Sequence, residues 1–411
     1  MAEHVSSPAD NLQDARQRQW RNLIAAALGY MMDGLDQLII SFTLMAVIAT
    51  FALTPVQAGS IATATMVGTW VGSYVFGIIA DYMGRVRVLS FTILLYAAAT
   101  GLSALSGSYH ALLIWRFVVG LGIGGEFGIG MALVTETWPA RIRARAGSYV
   151  AVGFTLGVLL ASVVTLAVLP RWGWRGVMVV GVLPALLAAW TRFRLKDSSV
   201  VEKAMSNRRH FPFMDLFASK SLSKTTLGLL FMTTVQNFGY YAIMIWMPSM
   251  LEKQHHFTLA STTEWTLITS LGMIAGILVF GWLCDTVGRR PSYIALFLMT
   301  AVMIPVYFSF HTPTILLSAG FLLGALVNGG MGGYGALLSE YYPTESRSTA
   351  ENFIFGTGRG VGGGLGPLAI GLLAAQMNLT AALSLLFIVY PVAAFIVWRW
   401  VPEKKGQTLP T

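Results

Sequence analysis

The chain has 411 residues, 55% hydrophobic and only 11% charged, with a mean hydropathy of +0.66 and a formal net charge of +9. A soluble domain carries roughly 25% charged residues, so an ordinary water-soluble globule is excluded and a polytopic α-helical membrane protein is expected. The one cysteine, Cys284, excludes an internal disulfide and a multi-cysteine metal cluster, and no cofactor or metal is expected. The polar first 22 residues contain no apolar core of the kind a removable signal peptide needs.

Twelve apolar runs have about the 20 residues needed to cross a hydrocarbon core of roughly 30 Å as a helix. The first, about 23–51, carries Asp33 and Asp36 in GYMMDGLDQLIISF. By helix rise they lie about 15 and 20 Å into the span, where a carboxylate facing lipid costs about 2.5–3.5 kcal/mol. A spacing of three residues puts both on one helix face. They either pair with neighbouring helices or, because burial disfavours the charged form, load and release a proton. Spans two and three, about 57–80 and 88–106, flank the loop GIIADYMGRVR at 77–87. The fourth, about 110–133, holds Arg116 and Glu126. Glu126 falls near mid-membrane and is another proton candidate, whereas Arg116 is either a cavity base or an outer cation that snorkels to water. The G-x-G-x-x-G at 120–125 has no preceding strand, so it is not a dinucleotide site. Gly120, Gly124 and Gly128 instead form a small-residue stripe for close helix packing.

The loop ETWPARIR at 136–143 leads to spans five and six, about 147–169 and 174–192. A charged linker, Arg192 to Lys224, separates them from the second half and has room for one amphipathic surface helix. Span seven, about 225–250, contains Gln236, Asn237, Tyr240 and Tyr241; span eight is about 260–284, and GWLCDTVGRRP at 281–291 leads to span nine, about 291–309. Asn328 lies in span ten, about 313–338, and EYYPTESR at 340–347 precedes span eleven, about 349–374. The last span is about 379–400. Arg359, in FGTGRGVGGGLG, sits roughly 14 Å into span eleven. Arginine keeps its charge and its fork suits a carboxylate, so its partner is an internal acid or the carboxylate of a bound solute. Glu264 and Glu351 lie near span ends, and that scarcity of mid-depth acids in the second half favours the solute.

With the N-terminus inside, twenty-two Lys and Arg fall on the cytoplasmic side and three, Arg171, Arg175 and Lys253, on the other. That asymmetry places both termini in the cytoplasm and accounts for the basic charge without nucleic acid. Two motifs also repeat at one offset. G-x-x-x-D-x-x-G-R occurs at 77–85 and 281–289, E-x-x-P-x-x-x-R at 136–143 and 340–347, both 204 residues apart. Two parallel six-helix halves follow, an N-terminal one over 1–192 and a C-terminal one over 225–411, joined by the linker 193–224. The same shift carries Asp33 to Asn237 and Asp36 to Tyr240, replacing carboxylates with neutral hydrogen-bonding groups. Gln236, Asn237, Tyr240, Tyr241 and Asn328 therefore either orient a solute or join helices.

The repeated loop resembles the signature loop of the major facilitator superfamily, and the resemblance extends over essentially the whole chain. The first copy has Val86 where a second basic residue is usual; the second keeps Arg289 and Arg290. D-G-L-D in span one, G-L-G-I-G-G-E-F-G in span four and W-G-W-R at 172–175 are similar to its proton symporters for organic acids, including sialate, aromatic-acid and metabolite permeases. The resemblance implies an all-α fold of twelve transmembrane helices, a central cavity lined by spans one, four, seven and ten, and a cytoplasmic gate. For that gate it suggests Asp81, Arg85, Glu136 and Arg143, repeated by Asp285, Arg289, Glu340 and Arg347.

The expected function is import of a small organic anion by proton symport with alternating access. Arg359 and Arg116, with Gln236, Asn237, Tyr240, Tyr241 and Asn328, would bind the anion, and Asp33, Asp36 or Glu126 would carry the proton. The expected partners are the anion, the proton and membrane lipid, with no nucleic acid, for a monomer in a bacterial inner membrane. A drug/proton antiporter is disfavoured because span five contains no proline. A neutral sugar or polyol permease, suggested by the tail PEKKGQTL, leaves Arg359 without a purpose. No H-E-x-x-H, G-x-S-x-G or Walker pattern supports an enzyme.

Overall fold

The computed structural model describes residues 8–183, 186, 190 and 211–410, and no strand occurs among them. Helices α1 (Pro8–Phe51), α2 (Pro55–Met83), α3 (Arg85–Ala104), α4 (Tyr109–Thr135) and α5 (Arg143–Val180) build the first half. A short α6 (Pro212–Asp215) precedes α7 (Lys220–His255), α8 (Leu259–Thr286) and α9 (Arg289–Phe308). Span ten is α10 (Pro313–Gly329) with α11 (Met331–Ser339), and span eleven is α12 (Arg347–Thr357), a π-helical turn at Gly358–Gly362 and α13 (Gly363–Ala374). The last span comprises α14 (Leu379–Ser384), a 3₁₀ turn and α15 (Val389–Trp400). Nine helices among the described residues are long and apolar enough to cross a membrane; α7 and the interrupted span eleven are not among them.

The helix ends do not follow the apolar runs, since α1 begins at Pro8, well ahead of the run near 23, and caps fix several other starts. Thr54 and Gln57 form a reciprocal capping box at α2, and Ser108, Ser219 and Thr258 cap α4, α7 and α8. Spans five and six lie on either side of Gly173, whose φ of +64° and ψ of −173° break the helical path within α5. Most of span six beyond residue 183 and the linker from 191 to 210 lie outside the described residues. In the remainder of the linker the helical pieces are α6 and the start of α7.

The second glycine of each repeated loop has a conformational reason. Gly84 and Gly288 adopt φ of +95° and +127° at the α2–α3 and α8–α9 turns, a region open mainly to glycine. Within each half, α2 packs on α4 and α8 on α10; across the halves, α12 packs on α2 and α5 on α8. These two cross-half contacts are equivalents under the 204-residue shift, as parallel repeats require. Gly120 and Gly124 of α4 let the backbone of α2 approach at Thr65 and Thr69, while Gly128 faces Asn352 of α12.

Gly124→Leu should therefore cost about 1–3 kcal/mol or more by overpacking, read as a lowered thermal midpoint in detergent. Gly59→Ala, whose added methyl would meet nothing within 4 Å, should leave the midpoint unchanged.

Candidate transport site

At the end bearing the repeated loops, all eight residues expected in the gate come together. Asp81, at the end of α2, receives the backbone N–H groups of Ser348 (3.3 Å) and Thr349 (2.8 Å) and the Thr349 hydroxyl (2.6 Å), so it caps α12 of the other half. Asp285 caps α5 in the same way, accepting from Ala144 N–H at 3.1 Å and Arg145 N–H at 3.0 Å. Each carboxylate thus meets the positive end of a helix dipole across the half–half boundary. Glu136 joins Arg85 (3.3 Å) to Arg347 (2.8 Å), and Glu340 joins Arg289 (2.8 Å) to Arg143 (3.1 Å). The C-terminal segment crosses the same surface: Glu403 accepts from the backbone of Arg289 and Arg290, and the Pro410 carbonyl accepts from Arg347. This end of the molecule is closed.

Deeper in the bundle, Arg359 projects from the π-helical turn of span eleven. Its Nη1 lies 3.2 Å from Asp33 Oδ2 and its Nη2 3.5 Å from Oδ1, a forked pair between the second half and α1. Nη2 also donates to Gln37 Oε1 at 2.7 Å and Nε to the Tyr241 hydroxyl at 3.4 Å, while the guanidinium lies 5.2 Å from the Phe154 ring centroid. Asp33 is fully buried and Arg359 is 3% exposed. Arg359 therefore has an internal acid as partner in this conformation, supplied by the first half rather than the second. Gly358 and Gly362 make the turn possible by letting Thr233 and Thr234 of α7 approach; π turns of this kind recur at functional sites.

Arg359 opens onto a narrow cleft also lined by Tyr30, Asn237, Tyr240, Tyr241 and Asn328. The cleft is tight, with about the room one water needs. Asn237, Tyr240, Tyr241 and Asn328 thus lie where a solute could meet them. Gln236 does not line this cleft; it accepts from the Tyr334 hydroxyl at 2.6 Å. Arg116 is also elsewhere, buried and paired with Asp36 at 3.4 Å, and Asp36 further accepts from the Thr100 hydroxyl at 2.6 Å. The two aspartates of α1, expected on one face, are thereby divided between two arginines. Glu126 is 2% exposed, lies against Gly29 of α1, and neither of its carboxyl oxygens has a hydrogen-bond partner among the described residues.

Gln37, Phe154 and Thr100 were not singled out in the sequence. Gln37 had a local signal, one helical turn after Asp33 and hence on its face; Phe154 and Thr100 had none, being brought in by α5 and α3.

Two helical halves, with ion-pair clusters across their boundary at one end and a buried charge pair between them at the centre, fit an integral, multi-pass membrane protein. The chain belongs to the major facilitator superfamily, whose family model matches residues 26–268 and 229–410. It is 46% identical to a Haemophilus influenzae protein provisionally named for metabolite transport, over 95% of this chain and 98% of that one. It is 28% identical to the cis,cis-muconate transport protein of Acinetobacter baylyi, over 92% of this chain and 94% of that one. A solved proton:xylose symporter with bound 6-bromo-6-deoxy-D-glucose has the same fold, with a TM-score of 0.81, 18% identity, and coverage of 96% of this chain and 98% of that one.

Glu340→Ala removes the acceptor shared by two buried arginines and should destabilise this closed conformation by about 3–5 kcal/mol. Thermal unfolding in detergent reads this loss. Adding Arg143→Ala should restore part of it, since the second change removes one stranded charge.

Proposed function

We propose that the protein imports a small organic anion together with a proton, and that Arg359 is the anion's binding group. The observation carrying this reading is the buried Arg359–Asp33 pair between the halves, beside a cleft lined by Asn237, Tyr240, Tyr241 and Asn328. The relative named for cis,cis-muconate transport supports a carboxylate as cargo. The lysine and arginine bias of the loops supports cytoplasmic termini and a cytoplasmic gate, in a bacterial inner membrane.

The coupling follows from charge balance. With Asp33 ionised, the pair is neutral and the guanidinium is occupied. Protonation of Asp33 frees the guanidinium fork, and an anionic carboxylate takes the place of the aspartate. One proton and one monoanion therefore leave the buried charge as it was. Either alone would strand an uncompensated charge, which costs several kcal/mol in a buried site. Glu126, whose carboxyl oxygens have no hydrogen-bond partner among the described residues, is the second proton group. Asp36, held by Arg116 and Thr100, positions α1. The two tyrosines and two asparagines orient the non-carboxyl part of the solute by hydrogen bonds.

Arg359→Ala should abolish uptake of the anion into proteoliposomes, and Arg359→Lys should retain little, because a point charge replaces a fork. Uptake at the wild-type rate in Arg359→Ala would remove the assignment. A panel of muconate, benzoates, sialic acid, lactate, hexuronates and a neutral sugar, each with and without an inside-alkaline gradient, tests the cargo class; preference for the sugar would overturn it.

Asp33→Asn should abolish accumulation driven by a pH gradient while sparing exchange between preloaded pools. Gradient-driven accumulation that survives in Asp33→Asn would move the proton site elsewhere.

A further inference from the structure

One buried acid takes no part in the central cleft. Glu351 lies on α12, one turn beyond Arg347, is 1% exposed, and has no hydrogen-bond partner for either carboxyl oxygen among the described residues. The residues around it on α12 tie that helix to the first half: Ser348 and Thr349 donate to Asp81, Arg347 pairs with Glu136, and Asn352 Oδ1 accepts from Gly128 N–H at 3.1 Å. Glu351 is thus sealed inside the contact that must part when the gate opens.

The repeat shows that the gate itself does not require this acid. Shifting by 204 residues puts Gly147 in place of Glu351 and Arg145 in place of Thr349. Around Asp285 and Glu340 the extra group is accordingly a base, Arg145, 3.4 Å from Asp285. Around Asp81 and Glu136 it is an acid. The charges in the field of Glu351 are Arg347, Glu136, Arg85 and Asp81. Two cations and two anions already balance, so an ionised Glu351 is a surplus negative charge. The other elements packed on α12 carry Asp215 on α6, Lys220, Lys224, Glu252, Lys253 and His255 on α7, His110, Arg116 and Glu126 on α4 and Arg359 on the π turn. None of these forms a hydrogen bond or ion pair with Glu351 among the described contacts.

We propose that Glu351 is a further proton-binding site, set in the cytoplasmic gate: it holds a proton while α12 is docked on α2 and α4, and gives it to cytoplasmic water as the gate opens. A buried carboxylate without a donor loses hydration and gains no hydrogen bond in return, and here attraction by Arg347 and Arg85 is offset by repulsion from Glu136 and Asp81. In the open gate water solvates the anion. The closed gate therefore binds the additional proton, so low cytoplasmic pH favours closure and rising pH favours opening. This site goes beyond the central ion pair and does not depend on what the cleft binds.

Hydrogen–deuterium exchange at the Ser348 and Thr349 amides, in the full-length protein without solute, tests the idea after correction for intrinsic rates. These amides are bonded to Asp81 only while the gate is closed. In the wild type, protection should fall as pH rises, by up to about tenfold per unit across the titrating range, the limit for a single-proton linkage. In Glu351→Gln, a neutral isostere, protection should stay high and independent of pH, and Glu351→Asp should regain the dependence. A flat wild-type profile, or the same slope in the wild type and Glu351→Gln, would overturn the proposal. Either result would leave the reading of Arg359 and Asp33 standing, because no solute takes part in the measurement.

Discussion

A buried arginine cannot shed its charge, and the rest of the structure is arranged around that constraint. Arg359 sits at the centre of the bundle, 3% exposed, and is matched by Asp33 from the other half at 3.2 Å. Breaking such a pair by removing one member costs about 3–5 kcal/mol, so the halves cannot separate around it unless something replaces the carboxylate. Under the proposed function, that requirement makes solute and proton travel together. The glycines at 358 and 362 serve the same end, letting α7 close against the π turn that presents the guanidinium.

Under the same proposed function, the charge clusters at the loop end form a gate that applies a similar logic with interchangeable parts. Each half sends an aspartate to cap a helix of the other, and each glutamate bridges two arginines. Ion pairs and caps that form only when two rigid bodies meet have two discrete states, docked and apart, which suits a switch better than a continuously deformable contact would. The symmetry is incomplete at 351 and 349, where the two clusters carry surplus groups of opposite sign. Departures of this kind from an internal repeat are informative because the repeat itself supplies the control.

Much of this was legible in the sequence, for a physical reason: spans, loops and repeats are encoded locally. Hydropathy marks the spans, and the 204-residue offset alone puts the proposed gate residues of the two halves in register. The glycines at 84 and 288 fell at fixed places in the motif because only they suit the turn. What was not legible is pairing over long separations. No acid of its own half lies at mid-depth to pair with Arg359, and the partner comes from α1, 326 residues away. Asp33 and Asp36 shared a helix face in the sequence pattern, yet a three-residue offset still separates side chains enough to serve different neighbours. The separation of spans five and six was legible too, because the helical path breaks at Gly173, between the two apolar runs.

The most direct probe of the central exchange is calorimetric titration of the purified transporter with its anion, in buffers of differing ionisation enthalpy. The slope of apparent enthalpy against buffer enthalpy counts protons taken up on binding. Replacement of the aspartate by the solute's carboxylate predicts an uptake of about one proton per anion bound at neutral pH. Binding with no proton uptake would contradict the account.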